Sequence, residues 1–357
     1  MNERARGTLL GLAVGDALGT TYEFEAIDQA AYPELATGPA TDVVGGGPFD
    51  LEAGAITDDT QMAVCLARSL ADHGRLDADD VGRRYLAWSQ EAFDIGNQTR
   101  DAIGRIRTGT AASVAGLATW QQSGRRAAGN GSLMRTAPIA VALHAGPDAV
   151  IAAALADSAI THADPRCALA CAAFDAAIAA SITAPIDGTA MLAVARRAVG
   201  VGAQRLAEQW RAVADRGGDA RLATVPGVAI GREDLAAIES AQADLTRDLD
   251  AAAAEDPHVY TPELHVHRTA GFVRVAFRLA FWHCVHTPSW RAALVDIASR
   301  GGDADTNAAI AGALLGARDG ASAIPAAWVE RVLGAKQKGS TSWSDEHHPR
   351  HLLALAE

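Results

Sequence analysis

The sequence predicts an all-α protein, folded as a compact orthogonal bundle of many helices. Alanine-rich apolar runs recur along its 357 residues, aromatic side chains make up only 5%, and no alternation of strand and helix patterns is found. Alanine has the highest intrinsic helix propensity, and small side chains allow helices to pack closely. Brief extended backbone is expected only at residues 43–47.

Each helix is placed where apolar residues recur with helical spacing, and it ends where Gly, Pro or Asp interrupts the pattern. This spacing predicts helices over residues 5–20, 63–73, 77–93, 100–106, 138–144, 147–160, 166–182, 190–214, 232–254, 269–283, 290–300 and 307–315. Glycine and proline predict loops at residues 31–56, 123–135 and 255–268. Residues 217–268 are the least regular section, and they form either an insertion that shapes a pocket or a surface excursion. The polar residues 336–350 read as a tail.

Composition restricts the classes of partner. With 49% hydrophobic and 21% charged residues, the chain can bury a large core. Its formal net charge of −12 provides no general attraction for nucleic acid or anionic lipid. We therefore expect no membrane partner and no general nucleic-acid binding, and an anionic ligand must be held by local groups.

Cysteine use and the amino-terminal segment predict a cytoplasmic protein. The cysteines show no CxxC pairing, which is typical of buried thiols in a reducing compartment; they are Cys65, Cys167, Cys171 and Cys284. The apolar stretch at residues 8–14 is interrupted by Gly15 and Asp16. It is therefore too short for a secretory signal or a membrane span.

Two short acidic clusters, residues 57–60 (Thr-Asp-Asp-Thr) and residues 301–306 (Gly-Gly-Asp-Ala-Asp-Thr), each lead into an apolar helical pattern. Taken alone, each fits a helix cap, because Asp and Thr are preferred at N-caps and negative charge is favoured there. Taken together, their carboxylates and hydroxyls suit hard divalent cations, which prefer oxygen ligands. An aspartyl-phosphate phosphatase signature is excluded, because its fifth position holds Asn307 and no apolar strand precedes it.

Five further features each have a structural and a functional reading. Residues 11–19 are rich in glycine but lack GxGxxG spacing, so they predict a helix that passes close to another element. Glu23 either reaches a site or is solvated, and Asp94 either follows a helix end or points inward. Residues 129–135 (Gly-Asn-Gly-Ser-Leu-Met-Arg) form either an ordinary turn or a nest of amides for phosphate. His162 is either a helix-end residue or a ligand contact.

In chain order, five motifs resemble those of the ADP-ribosylglycohydrolase family: residues 15–19 with Glu23, and residues 57–60, 129–135, 161–162 and 301–306. The resemblance covers most of the chain, from about residue 5 to about residue 318. It implies one domain over residues 1–357, with an all-α fold and a central cleft that binds two Mg²⁺ or Mn²⁺ ions.

The resemblance also implies a role for each residue from its place in the motifs. The metal ligands would be Thr57, Asp58, Asp59, Asp303, Asp305 and Thr306. The catalytic residues would be Asp303, Asp59, Glu23 and Asp94. The residues that grip the diphosphate or contact the substrate would be Gly129, Asn130, Gly131, Ser132, Leu133, Met134, Arg135 and His162. Phe272 stands where bacterial relatives often place a tyrosine, so a hydroxyl contact is in doubt there.

The function implied is a metal-dependent hydrolase that removes ADP-ribose from modified protein side chains. The likeness to the bacterial activating glycohydrolases favours an N-glycosidic ADP-ribosyl-arginine substrate, whose guanidinium could pair with Asp94. The alternatives are a hydrolase of O-linked ADP-ribosyl-serine or of small ADP-ribose conjugates, and a metal-dependent ADP-ribose-binding module without turnover.

Overall fold

The computed structural model describes residues 2–215, 225 and 228–356, and these contain fifteen α-helices. The helices are α1 (Glu3–Gly19), α2 (Asp58–His73), α3 (Ala78–Trp88), α4 (Asn97–Arg107), α5 (Ala112–Gln122), α6 (Ala137–Leu143), α7 (Pro147–Thr161), α8 (Pro165–Thr183), α9 (Gly188–Asp215), α10 (Arg232–Ala253), α11 (Val273–His286), α12 (Trp290–Ser299), α13 (Ala304–Asp319), α14 (Ala326–Gly334) and α15 (Thr341–Glu346). In the described residues the β pairing consists of isolated bridges, one of which joins Gly46 to Leu51. The predicted all-α class is confirmed.

Three helices, α5, α14 and α15, lie where the sequence pattern predicts none. The helix propensity of the α5 sequence is weak, but close packing against α7 stabilises this helix. A Cβ added to Gly116 would lie only 2.3 Å from Ala159 O, so the two helices are in backbone contact there. The predicted tail contains α15 because Trp343 is buried and its Nε1 donates to Trp88 O at 3.0 Å. Of the irregular section 217–268, much is α10.

Part of that section, residues 217–224, 226 and 227, lies outside the described residues, as does residue 216. The choice between a pocket-shaping insertion and a surface excursion therefore stays open for that stretch.

The helices α1 and α13 pack at backbone contact distance. Glycines recur one turn apart along the buried face of α1, at Gly7, Gly11, Gly15 and Gly19. A Cβ added to Gly11 would lie 2.0 Å from Gly312 O, and one added to Gly19 would lie 2.4 Å from Asp305 Cα. Side chains larger than hydrogen do not fit there. This confirms the predicted close passage and places the end of α1 beside the start of α13.

Among the described helices, α8 alone is long and apolar enough to cross a membrane, with a hydropathy of 1.4 in its most apolar window. However, 78% of that window is buried inside the protein, as in the core helix of a globular fold. It packs mainly against α7 and α9.

Candidate active site

The two acidic clusters span the starts of α2 and α13, but the residue that caps α2 comes from a different helix. Asp16 of α1 accepts hydrogen bonds from Thr57 N at 3.1 Å and from Thr60 N at 3.1 Å. It also accepts from the hydroxyls of Thr57 at 2.9 Å and of Thr60 at 2.5 Å. Because Asp16 satisfies these donors, Asp58 and Asp59 are not needed to cap their own helix.

The clusters converge. The Thr57 hydroxyl oxygen lies 3.1 Å from Asp59 Oδ2 and 3.4 Å from Asp305 Oδ2. The Thr306 hydroxyl oxygen lies 3.5 Å from Asp59 Oδ2. Two segments distant in sequence therefore share one buried oxygen-rich centre, and Glu23 joins it: carboxylate oxygens of Glu23, Asp94 and Asp305 all lie within 4.8 Å of one another.

Among the described residues, no ion pair joins a protein cation to the carboxylates of this centre, and only the charge of Arg100 acts on Asp94 from a distance. Glu23 Oε2 and Asp59 Oδ1 are buried and have no hydrogen-bond partner among the described residues. Burial, followed by the neighbouring charges of Asp305 and Asp94, raises the pKa of Glu23 to about 12. Burial and adjacent carboxylates also hold the pKa values of Asp58, Asp59 and Asp305 well above their ordinary value.

Crowded, buried carboxylates with unsatisfied oxygens fit a divalent cation. A cation would favour the ionised forms that the protein alone disfavours, and every donor in the centre is an oxygen, the ligand that Mg²⁺ and Mn²⁺ accept. The six residues expected as metal ligands therefore suit that role in chemistry and position. They are Thr57, Asp58, Asp59, Asp303, Asp305 and Thr306.

A cleft of about 410 Å³ opens beside the acidic centre. The predicted site residues that line it are Glu23, Asp58, Asp94, Gly129, Asn130, Gly131, Met134, His162, Asp303, Asp305 and Thr306. Two grooves elsewhere are larger, at about 930 and 730 Å³. The smaller cleft is nevertheless the candidate site, because the carboxylates converge beside it.

Two predicted metal ligands, Thr57 and Asp59, are fully buried and do not line this cleft. They lie behind its wall, in contact with the residues that do.

The loop at residues 129–135 is held against the acidic centre. Asn130 Nδ2 donates to Asp303 Oδ2 at 2.6 Å, and Asn130 N donates to Gly271 O at 2.9 Å. Gly129 N donates to Gln98 Oε1 at 3.1 Å. The amides of Leu133 and Met134 both donate to Asn130 O. Four backbone amides of the predicted phosphate nest are therefore already engaged within the protein, and the nest is smaller than the sequence suggested.

Three loop residues expected to contact the substrate lie behind the cleft instead: Ser132, Leu133 and Arg135 are each 0% exposed. The Ser132 hydroxyl accepts from the Ser158 hydroxyl at 2.9 Å, and Leu133 belongs to the hydrophobic core. Arg135 forms a buried ion pair with Asp157 at 3.1 Å. Its guanidinium points inward because it pairs with the buried carboxylate of Asp157 on α7, which would be costly to leave unpaired.

His162 occupies the position expected of a ligand contact, immediately after α7. Its ring covers the loop: a Cβ on Gly131 would lie 2.8 Å from His162 Cε1, so only glycine leaves room for the imidazole. Burial and the charge of Arg135 hold the pKa of His162 well below its ordinary value. The ring is therefore neutral at physiological pH.

Several cleft residues escaped the sequence analysis. The lining residues that were not predicted are Phe24, Gly96, Asn97, Gln98, Thr99, Ala270 and Gly271. Asp16, which lies behind the cleft, was also not assigned to the site. The sequence gives no chemical signal for most of these, because polar residues at a helix start, such as Asn97 and Gln98 of α4, are ordinary. Asp16 could have been suspected as a carboxylate within an apolar helix.

The glycines of the second cluster also join the site to its surroundings. Gly301 and Gly302 have φ values of +70° and +72°, which other residues rarely adopt. Gly302 N donates to Glu25 O at 2.7 Å, and Phe24 N donates to Gly302 O at 2.7 Å. These two bonds fix the segment that carries Glu23 beside the start of α13.

Comparisons with known proteins identify the family to which this chain is similar. The sequence profile of the ADP-ribosylglycohydrolase family matches residues 1–354. ADP-ribosylarginine hydrolase Tri1 of Pseudomonas putida (strain GB-1) is 30% identical over 365 residues, which covers 99% of this chain and 77% of that protein. ADP-ribosyl-[dinitrogen reductase] glycohydrolase of Rhodospirillum rubrum is 29% identical, with 93% of this chain and 91% of that protein covered. A solved structure described as an ADP-ribosylglycohydrolase-related protein complex superimposes with a TM-score of 0.65 at 26% identity, covering 100% of this chain and 99% of that one.

Proposed function

Because the chain belongs to the ADP-ribosylglycohydrolase family and is a hydrolase of glycosyl bonds, we propose that it removes ADP-ribose from modified arginine side chains with the help of divalent cations. The observation that carries the proposal is the buried acidic centre, with Asp94 at the edge of its cleft. The likeness to an ADP-ribosylarginine hydrolase over 99% of the chain supports arginine as the acceptor.

The residues that would hold two Mg²⁺ or Mn²⁺ ions are the six oxygen donors of the two helix starts. When bound, such ions supply Lewis-acid chemistry: they orient hydroxyl oxygens and lower the pKa of water. The orphaned oxygens of Glu23 and Asp59 are the support for this assignment.

The protein groups serve the bond between the anomeric carbon of ADP-ribose and the guanidinium nitrogen. As this bond breaks, positive charge develops on the sugar, and the carboxylates of the centre stabilise it. Of the two predicted acid/base residues, Asp303 lines the cleft and Asp59 is fully buried behind it. We therefore assign proton transfer to Asp303, while Asp59 contributes charge. Glu23, which also faces the cleft, positions water or substrate.

Asp94 suits the departing guanidinium. Burial raises the pKa of this carboxyl to about 6. In its ionised form the carboxylate can accept two N–H groups of a guanidinium. A serine acceptor presents no such fork of donors. This asymmetry favours the arginine conjugate.

The test is release of ADP-ribose by the purified protein with Mg²⁺ or Mn²⁺, given arginine- and serine-ADP-ribosylated peptides in parallel. Faster release from the arginine peptide is expected, and an Asp303→Ala variant should lose it. Release from serine peptides or small conjugates alone would favour the alternative hydrolases. Tight binding of ADP-ribose without release from any substrate would contradict catalysis and leave a binding module. The cytoplasmic location remains a prediction.

A further inference from the structure

The ring of His162 has one bonded nitrogen and one free nitrogen. Its Nδ1 lies 2.8 Å from the hydroxyl oxygen of Thr161, the preceding residue. Its Nε2 has no hydrogen-bond partner within the described part of the chain, although only 2% of the residue is exposed. A Cβ on Gly129 would lie 3.4 Å from this Nε2, so the free nitrogen faces the glycines of the cleft wall.

The hydrogen bonds around Thr161 favour one of the two neutral tautomers of the His162 ring. Arg135 Nη1 donates to Thr161 Oγ1 at 2.8 Å, and a guanidinium can only donate. The threonine hydroxyl has a single hydrogen, and the acceptor that the described residues offer it is His162 Nδ1. If Thr161 donates to Nδ1, that nitrogen carries no hydrogen, and in a neutral imidazole the proton is on Nε2.

Arg135 cannot easily turn away from this arrangement. It is 0% exposed, its Nε donates to Asp157 Oδ2 at 3.1 Å, and its Nη2 donates to Asp157 O at 3.1 Å. Its guanidinium also lies over the ring of Tyr85, 4.6 Å from the centroid. Tyr85 in turn donates to Asp157 Oδ1 at 3.0 Å. Such a closed buried network holds one pattern of donors and acceptors.

We propose that Thr161, oriented by Arg135, is a positioning residue that keeps His162 as the Nε2–H tautomer, so that the ring presents a neutral hydrogen-bond donor to the cleft. This rests on the proposed function, because ADP-ribose brings acceptor oxygens, and those of its diphosphate are charged. It also gives Arg135 a role: the residue acts on the ligand through Thr161 and His162 rather than by touching it.

The direct test is the ring ¹⁵N spectrum of the full-length protein labelled at histidine, with the His162 signals assigned by their loss in a His162→Gln variant. The expected result is a protonated Nε2 and an unprotonated Nδ1. A proton on Nδ1, or on both nitrogens at pH 7.5, would overturn the proposal without any measurement of activity.

The functional test compares Thr161→Val, which removes the hydroxyl and keeps the branched shape, with Thr161→Ser, which keeps the hydroxyl. Thr161→Val should shift the His162 ring signals and weaken calorimetric binding of ADP-ribose, measured with Mg²⁺, by about tenfold, the effect of one lost hydrogen bond. Thr161→Ser should retain both properties. Equal binding by all three proteins, or equal loss in both variants, would contradict the proposal. Failure of the wild type to bind ADP-ribose would instead refute the proposed function. The ring spectrum would still test the tautomer, because it does not depend on ligand binding.

A second observation concerns Phe24, which lines the cleft next to Glu23 and is 68% exposed. Its backbone φ is +64°, an unfavourable conformation for a bulky aromatic residue. The bond from Phe24 N to Gly302 O holds it there. Strained residues persist where the surrounding structure fixes them, and they concentrate at ligand sites.

We further propose that Phe24 is a specificity residue whose ring stacks on the acceptor guanidinium. This too rests on arginine as the acceptor. The ring adjoins a cleft lined by five carboxylates, Glu23, Asp58, Asp94, Asp303 and Asp305, which favours a cationic occupant. A planar guanidinium combines ionic pairing with stacking on an aromatic face, whereas a serine side chain does neither.

The test measures kcat/KM of Phe24→Ala and Phe24→Tyr on arginine- and serine-ADP-ribosylated peptides. Val44→Ala is the matched control, since Val44 is 55% exposed but does not line the cleft. Phe24→Ala should lower the arginine value by about 2- to 30-fold and leave the serine value unchanged, while Phe24→Tyr and the control stay near wild type. Equal losses on both peptides, or none, would overturn this role. Wild type that acts on serine peptides alone would overturn the arginine assignment itself.

Discussion

The close contact of α1 with α13 predicts a large cost for one added methyl group. In a Gly11→Ala variant, the new Cβ would lie 2.0 Å from Gly312 O, whereas ordinary contacts begin at 3.4 Å. The helices must therefore separate by roughly 1 Å or more, since interiors are close-packed. The same carbonyl also accepts the Trp290 Nε1 hydrogen bond at 2.9 Å.

The magnitude follows from two opposed effects. Overpacking costs about 1–3 kcal/mol, while replacing glycine by alanine within a helix gains about 1 kcal/mol. Gly104→Ala is the control, because Gly104 lies within α4 and an added Cβ meets no atom within 4 Å. In urea unfolding, Gly104→Ala should be more stable than wild type, and Gly11→Ala less stable than Gly104→Ala by about 1–3 kcal/mol. Gly11→Ala should also bind Mg²⁺ more weakly, because a shift of α1 would move Asp16, which caps α2 beside the proposed ligands. Equal stability of the two variants would refute the packing argument.

Three further predictions concern charge. Asp94→Asn should lower kcat/KM on arginine-ADP-ribosylated peptide by roughly 10- to 100-fold, the worth of a charge-assisted hydrogen bond, and leave the serine peptide nearly unaffected; equal loss on both would contradict its acceptor role. Mg²⁺ at a hundred times its Kd should stabilise the wild type by about 2.7 kcal/mol for each bound ion in urea unfolding, and Asp305→Asn should abolish this gain; an undiminished gain would argue against the assigned ligands. Burial raises the pKa of Asp296, but bonds and charges from His283 and Arg300 outweigh burial and lower it to about 2. Because this folded-state pKa is depressed, the stability it confers is complete above pH 4 and lost towards pH 2. The unfolding free energy of wild type relative to Asp296→Asn should therefore fall by about 2 kcal/mol over that range, and a constant difference would refute it.

The parts of the site that could be predicted are those that depend on residues close together in the sequence. Helix class, the acidic clusters and the glycine-rich segment each depend on composition within a few positions. The helix starts were predicted too late, at residues 63 and 307, because Asp and Thr have low helix propensity. In the structure α2 (Asp58–His73) and α13 (Ala304–Asp319) begin inside the two clusters, which leaves Thr57 and residues 301–303 before the helices.

The parts that could not be predicted depend on contacts between distant segments. Asp16 caps α2 across 41 to 44 positions of sequence, and no local pattern encodes that pairing. Arg135 is the last residue of a loop expected to hold phosphate, and its inward direction is decided by Asp157, 22 positions later. Phe24 is likewise identified only by its exposure and its backbone angle.

The sequence allows two explanations of the acidic clusters, helix capping and metal binding. The fold separates the two tasks, because the cap of α2 is supplied by Asp16 and not by the cluster itself. Had Asp58 or Asp59 capped α2, its oxygens would have been occupied by backbone amides and less available to a cation. Asp16 takes over that task, and it reaches the start of α2 from an α1 that is pressed against α13 by glycine contacts. Asp59 Oδ1 is buried and has no hydrogen-bond partner in the part of the chain that the structure describes. The glycines of α1 and the carboxylates of the two clusters are therefore parts of one arrangement, in which helix packing lets Asp16 cap α2 and leaves the cluster carboxylates available to the proposed cations.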